Sequence, residues 1–313
     1  MSHNFGKLFI GVTIALGMSA FASNSVQAGT LTGATIGGTA ASDYVVYGVN
    51  AANNTFVVPN TPGNIAAALT GNAASPTGNV ELRASSEQGG FDFTKNTTLS
   101  GQIGGKNITL SSLTASDWGT TNYKNSGKTF GRYWFDSALT ANNVSLNVNA
   151  NLDAAAKTTL FNIFQTNGGF QRFSDPKISY VNQNDTTGEI SIGLAGHLNA
   201  TSLLLPYFTQ YVDGLNLTSS EKQIMKTTFA SKQTQASEIV KYTYNGTTDY
   251  LFSFTGTNSG LVSNDATNSH NANYEVTIAG VPPTKVPEPS VMLGMFGVAG
   301  IFAAQRKLKK VSA

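Results

Sequence analysis

Residues 238–244 read Glu-Ile-Val-Lys-Tyr-Thr-Tyr, residues 247–255 read Thr-Thr-Asp-Tyr-Leu-Phe-Ser-Phe-Thr, and the dipeptide Asn245-Gly246 joins them. Asparagine followed by glycine accepts the positive φ angles that a two-residue hairpin turn requires. The aromatic residues of the second segment alternate with other residues, as they do in a strand with one packed face. This stretch therefore predicts a β-hairpin. Similar short strand-like runs, separated by turn residues, recur through most of the chain.

Short runs rich in Val, Ile, Thr and aromatic residues alternate with turns of Gly, Asn, Ser and Pro. Many short strands at such spacing are typical of a β-sandwich or barrel. We predict a mainly β fold with a β-sandwich-like body over residues 29–280, and a polar loop over 258–273. Besides the hairpin, the predicted strands are 43–50, 53–58, 80–84, 90–94, 98–103, 107–113, 129–139, 143–149, 177–183, 189–194 and 274–279. We expect the turn at 185–188 to link 177–183 to 189–194 as a second hairpin.

Three segments have helical rather than strand character. Residues 64–70 predict a short helix, and residues 153–167 predict a longer one that begins at Asp153 and ends before Gly168. Residues 201–232 predict two helices, in which Pro206 marks the first turn of one and Thr218 with Glu221 forms a capping box for the other. We expect these helices to form a small insertion at about 153–232.

The composition excludes several classes of protein. The chain has 313 residues, only 12% of them charged, whereas soluble domains usually reach about 25%. Its 10% aromatic content favours a packed core over disorder. Because it has no cysteine, it holds no disulfide, thiolate nucleophile or cysteine-ligated metal.

Carboxylates are the main candidates for acid–base chemistry. Glu81, Glu87 and Asp92 lie within twelve residues, and glycoside hydrolysis needs two carboxyl groups about 5–9.5 Å apart. Glu81 and Arg83, however, share one face of a predicted strand, which we interpret as a solvated ion pair. A carboxylate-based hydrolase stays open as an alternative to a non-catalytic protein.

The densest aromatic run lies at residues 130–136. Strand alternation would place Arg132, Trp134 and Asp136 on one face, where the indole could stack on a sugar ring. The alternative, which we favour, is that this strand packs in the core.

No pattern in the sequence predicts a metal site or a cofactor. His197 and His270 are far apart, and we interpret His197 as a residue that satisfies nearby backbone groups. The oxygen-rich segments 182–185 and 263–265 lack the spacing of an EF-hand loop.

The first 28 residues resemble a secretory signal. Lys7 precedes an apolar run at 8–18, and Val26 and Ala28 are the small residues expected before a signal-peptidase cleavage site. We predict cleavage after Ala28, with the body exported.

The C-terminal tail has three parts in order. Pro287, Glu288 and Pro289 follow a Pro-rich spacer at 281–286, and 291–304 are fourteen uncharged residues. As a helix this run would reach about 21 Å, which is short of the roughly 30 Å hydrocarbon core. The chain then ends in a basic stop whose cations are Arg306, Lys307, Lys309 and Lys310.

This tail, residues 287–313, resembles the PEP-CTERM sorting signal of bacterial exosortase substrates. The matching residues are Pro287-Glu288-Pro289, Val298-Ala299-Gly300 and the cluster from Arg306 to Lys310, which is richer in lysine than is usual in that family. The resemblance implies export, transient membrane anchoring through 291–304, processing by an exosortase-type transpeptidase, and delivery to the cell surface or extracellular matrix. A permanent C-terminal anchor is the alternative.

The charge of the body gives no sign of a nucleic-acid partner. Removing Lys7 and the four tail cations from 19 basic residues, and Glu288 from 17 acidic ones, leaves a net charge of −2. We expect a non-catalytic surface or matrix protein whose Asn- and Thr-rich surface contacts polysaccharide. The alternatives are a secreted carbohydrate-active hydrolase and an adhesin that self-associates through an edge strand.

Overall fold

The computed structural model describes residues 29–83, 91–144, 154–264 and 267–283. Strands hold somewhat more of these residues than helices, so the mainly β fold is confirmed. The predicted signal helix and the predicted C-terminal hydrophobic helix lie outside the described residues.

The strands are β1 Gly29–Thr30, β2 Thr32–Gly38, β3 Tyr44–Val49, β4 Asn54–Val58, β5 Gly78–Leu82, β6 Thr97–Ile103, β7 Lys106–Ser111, β8 Lys177–Gln183, β9 Ile190–Gly196, β10 Val240–Tyr244, β11 Thr247–Leu251, β12 Thr257–Asn258, β13 Val262–Ser263 and β14 Ala272–Ile278. The helices are α1 Pro62–Ala68, α2 Ala115–Trp118, α3 Phe130–Ala141, α4 Ala154–Thr166, α5 Gly169–Arg172, α6 Thr201–Asp213 and α7 Ser219–Ala230, with a 3₁₀ turn at Tyr123–Asn125.

The two predicted hairpins are confirmed. Strands β10 and β11 pair antiparallel around Asn245 and Gly246, whose φ angles are 48° and 78°. These positive values match the turn that the dipeptide predicts. The second strand ends at Leu251, earlier than expected, and β8 pairs with β9 in the second hairpin.

Two sheets share one apolar core. The small sheet has the order β11-β10-β7-β6-β2, and Leu99, Leu110 and Val240 of this sheet are buried. They belong to the same buried cluster as Val80 and Ile192 of the large sheet. Burying these faces against each other is the main stabilisation that the two sheets can gain from packing.

The large sheet is strongly curled. Its strands follow the order β12-β14-β9-β8-β5-β3-β4-β13, with β1 attached to β8. Laid flat, eight strands would span about 34 Å. The outer strands β12 and β13, however, are joined by only Ser259-Gly260-Leu261, which reach at most about 15 Å. The two edges therefore lie close together.

Part of the polar face of the large sheet is buried. Tyr180 accepts a hydrogen bond from Asn273 Nδ2 at 3.1 Å and donates one to Glu275 Oε2 at 2.8 Å, from β8 across β9 to β14. Gly193 of β9 lies beneath this ring, because a Cβ there would come within 2.2 Å of Tyr180 Cε1. Tyr47 and His270 meet edge to face on the same side, with ring centroids 4.5 Å apart.

The helices form a second, aromatic core. Trp118, Trp134, Phe164 and Phe229 are buried in one cluster. The helices do not form one insertion at about 153–232, because α3 precedes it and the β8–β9 hairpin lies between α5 and α6. The sheet core and the helical core are thus interleaved along the chain.

The predicted helix starts are partly correct. The capping box is present, with Thr218 N donating to Glu221 Oε2 at 2.8 Å. Pro206 does not mark a first turn, because α6 begins at Thr201 and the proline lies inside it. The short helix α1 and the longer α4 confirm the other two helical segments, although Asp153 lies outside the described residues.

The predicted strand at 129–139 is wrong, because this segment forms helix α3. Thr129 is its N-cap, and the Thr129 hydroxyl accepts a hydrogen bond from Arg132 N at 3.2 Å. Phe130 and Trp134 are four residues apart, as are Phe135 and Leu139, which is the spacing of one helical turn, and all four are buried. Alternation over a few residues did not distinguish the two periods.

Three other predicted segments differ from the structure or extend beyond its described residues: 90–94, 258–273 and 143–149. The residues of segment 90–94 that are described form a turn, in which Asp92 Oδ1 accepts from Thr94 N at 3.0 Å. The loop at 258–273 contributes to three short pairings, through β12, β13 and the start of β14. Most of the predicted strand at 143–149 lies outside the described residues.

We expect Gly193→Ala to destabilise the protein by about 1–3 kcal/mol, because the new methyl group would overlap the Tyr180 ring. Thermal unfolding measures the change. Gly63→Ala is the matched control, since no atom lies within 4 Å of its added Cβ. Equal midpoints for the two variants would contradict the packing of Tyr180 over β9.

Candidate functional site

The outer face of the small sheet carries a row of hydroxyl groups, one from each strand. The strand registers place Thr35 opposite Ser100, Ser100 opposite Thr109, Thr109 opposite Thr243, and Thr243 opposite Thr248. We call these five residues the hydroxyl row. At about 4.8 Å per strand the row is roughly 19 Å long. Thr35, Thr243 and Thr248 are exposed, and the other two members are half-buried.

Hydrogen bonds order this row. Ser100 Oγ lies 3.0 Å from Thr109 Oγ1, and Thr243 Oγ1 lies 2.9 Å from Thr248 Oγ1. Each hydroxyl can both donate and accept, so each pair keeps unused hydrogen-bonding capacity toward solvent. The row is therefore a regular, uncharged array of donors and acceptors.

The charges beside the row are paired. Lys241 lies on β10 two residues before Thr243, and it donates to Asp117 Oδ1 at 2.8 Å. The Tyr250 hydroxyl donates to the same oxygen at 3.1 Å. Burial acts to raise the pKa of Asp117, but hydrogen bonds from Lys241 and Thr114 outweigh it and lower that pKa. Asp117 is thus a carboxylate at neutral pH and offsets the Lys241 charge.

The residues predicted to contact a ligand do not share one face. Trp134 is only 2% exposed and packs against Phe173 with ring centroids 4.8 Å apart. Arg132 and Asp136 lie one helical turn apart and form an ion pair at 3.0 Å. The preference for core packing at Trp134 is confirmed, and a stacking role for its ring is contradicted by its burial.

An apolar cavity lies among α3, α4, α6 and α7. Its volume is about 60 Å³, and its lining includes Trp134, Phe164, Tyr207 and Phe208. The lining is almost entirely apolar, so the cavity offers no acid–base pair for catalysis.

The three carboxylates proposed for acid–base chemistry do not form a pair in the described residues. Glu81 is 2% exposed, which contradicts the expected solvated pair with Arg83. Asp92 lies on the surface, where hydrogen bonds from Thr94 and then the nearby Lys95 lower its pKa. Glu87 lies outside the described residues.

Glu81 instead belongs to a buried charge cluster that sequence reasoning missed. Lys177 Nζ lies 3.6 Å from Glu81 Oε1 and 3.4 Å from Glu238 Oε1, and the Tyr47 hydroxyl donates to Glu81 Oε2 at 3.1 Å. Burial acts to lower the pKa of Lys177, but Glu238 and then Glu81 outweigh it and raise that pKa well above its usual value. Burial, followed by the charge of Glu81, raises the pKa of Tyr47. Lys177 is therefore protonated and Tyr47 is neutral around neutral pH.

The histidines occupy different surroundings. His270 is 1% exposed, and its Nδ1 lies 2.7 Å from Thr55 Oγ1. His197 is half-buried, and its carbonyl accepts a hydrogen bond from the Tyr274 hydroxyl at 2.6 Å. Within the described ranges no three His, Asp or Glu residues are grouped to hold a metal ion.

The predicted processing signals belong to the two ends of the chain. Ala28, Pro287, Glu288, Pro289 and the basic stop lie outside the described residues. In the part of the chain that is described, no helix is both long and apolar enough to cross a membrane.

We expect Lys177→Met to destabilise the fold by about 3–5 kcal/mol, since it removes the buried cation that pairs with both Glu81 and Glu238. Lys241→Met is the matched control. Its side chain is one-third exposed, and without it Asp117 would keep hydrogen bonds from Thr114 and Tyr250, so its loss should cost only about 1 kcal/mol. Urea unfolding of both variants provides the comparison, and similar losses would argue against a buried charge cluster.

Comparison of the chain with family models, with curated proteins and with solved structures finds no match.

Proposed function

We propose that this chain is an exported, non-catalytic surface or matrix protein with a sandwich-like β body that binds polysaccharide through the hydroxyl row. Its C-terminal tail would direct exosortase-type sorting, and a signal peptidase would remove the first 28 residues. The PEP-CTERM-like motif at Pro287–Pro289 supports the sorting step.

The alignment of the hydroxyl row is the observation that carries the binding proposal. An extended neutral polysaccharide offers hydroxyl groups along its length, and a row of about 19 Å can contact several consecutive sugar rings. Because the row is uncharged and Lys241 is paired with Asp117, the surface suits a neutral polymer better than an acidic one. Individual hydrogen bonds contribute only about 1 kcal/mol each, so binding would depend on several acting together.

The positions of the two ends of the body support export. Gly29 pairs with Gln183, and the Gln183 side chain donates to the carbonyl of Val281 at 2.9 Å. The body therefore begins and ends at one pole. About ten residues separate each end from its apolar segment, a reach of at most about 35 Å. Both membrane-directed segments can thus enter one membrane while the body folds beside it.

The hydrolase alternative has weaker support. A substrate could reach Glu81 only if the core opened, because this carboxylate is 2% exposed and lies beside Lys177. The adhesin alternative rests on exposed apolar residues of adjacent strands, Val57 at 64% and Val262 at 53% exposure.

The test is co-sedimentation of the protein with a panel of insoluble neutral polysaccharides. Thr109→Val with Thr243→Val removes two hydroxyls and keeps β-branched side chains, so the sheet should persist. We expect this double variant to bind about tenfold more weakly, the loss that corresponds to two modest hydrogen bonds. Thr228→Val with Thr277→Val, two exposed threonines outside the small sheet, is the matched control and should bind as the unmodified protein does.

Equal binding by both double variants, or no binding to any polymer, would contradict the proposal. Release of reducing sugar that is abolished by Glu81→Gln would favour the hydrolase. A sedimentation mass that rises with protein concentration and falls in Val57→Lys would favour the adhesin.

A further inference from the structure

The backbone nitrogen of Gly29 lies against a carboxylate. Strand β1 pairs with β8, so that Gly29 is opposite Gln183 and Thr30 is opposite Asn182. Beyond this pairing, Gly29 N donates to Asp185 Oδ1 at 3.3 Å. Asp185 is half-buried in the β8–β9 turn, so its carboxylate is partly shielded from water.

The turn does not require this carboxylate. Asn184 supplies the turn contacts, because its Oδ1 accepts hydrogen bonds from Thr186 N at 2.9 Å and Thr187 N at 3.1 Å. The Asp185 side chain is therefore directed to the chain end and not to its own turn. The approach is also close, since a Cβ on Gly29 would lie 3.2 Å from Asp185 Oδ1.

Cleavage after Ala28 would change the chemistry of this contact. The bond between the Ala28 carbonyl carbon and Gly29 N breaks, and water supplies the oxygen of the new Ala28 carboxylate. The two protons of that water complete the ammonium on Gly29. A neutral amide donor would thus become a cation beside an acceptor that is already in place.

We infer that Asp185 is the binding site for the N-terminal ammonium that removal of the signal peptide creates. This inference rests on the proposed cleavage after Ala28. A charge-assisted hydrogen bond is shorter and stronger than the neutral one it replaces. It would fix β1 to the edge of β8 and secure the pole at which Val281 also leaves the body.

A carboxylate at this position should slow the reaction of the Gly29 α-amine with an acylating reagent. An opposite charge nearby favours the ammonium form, and only the neutral amine reacts with an acylating reagent. Glu189 is the other charged side chain of this turn, and it is exposed. The Tyr244 hydroxyl accepts from Val281 N at 3.0 Å. The carboxylate that contacts Gly29 N is that of Asp185.

The experiment uses the exported protein, whose intact mass first establishes its N-terminal residue. Acylation of the α-amine at pH 7.5 is followed by the mass of the N-terminal peptide. We expect the amine to react about two- to sevenfold more slowly than in Asp185→Asn, which at this pH corresponds to a rise of roughly half to one pKa unit. Asp185→Glu should restore part of the protection, and Glu189→Gln should leave it unchanged.

Two results would overturn the inference and can be told apart. A chain that begins at Gly29 but reacts equally fast in the unmodified protein and in Asp185→Asn would contradict the role of Asp185 and leave the cleavage proposal intact. A chain that begins at another residue would contradict both.

Discussion

The three-residue connection between β12 and β13 is the constraint on which the rest of the structure depends. Because Ser259-Gly260-Leu261 must join the two edges of an eight-strand path, the large sheet has to curl. Its apolar face then packs on the small sheet, and part of its polar face is buried. The charge cluster around Lys177 and the tyrosine over Gly193 lie on the buried part of that polar face.

In the small sheet, the polar face is the one that faces the solvent. Its inner face supplies Leu99 and Leu110 to the shared core, so alternation leaves Ser100 and Thr109 outside. The same period of two that builds the core therefore aligns the hydroxyl row across five strands. In this account the surface proposed to bind polysaccharide is a direct consequence of how the sheet packs.

Local patterns predicted local structure well. The Asn245-Gly246 turn, the Thr218–Glu221 capping box and the mainly β fold follow from residue chemistry within a few positions. Helix α3 was missed because its aromatic residues satisfy both periods. The partners of Lys177 were missed because Glu238 lies 61 residues away and a lone lysine carries no signal of burial. The hydroxyl row likewise needs strand order and register, which sequence patterning does not supply.

The central claim is that this body is delivered outside the membrane after both ends are processed. Intact-mass analysis of the native protein from membrane and extracellular fractions tests it most directly. The account predicts an extracellular species that begins at Gly29 and ends near Pro287. A membrane species that still carries Arg306–Lys310 would contradict it and indicate a permanently anchored receptor or tether.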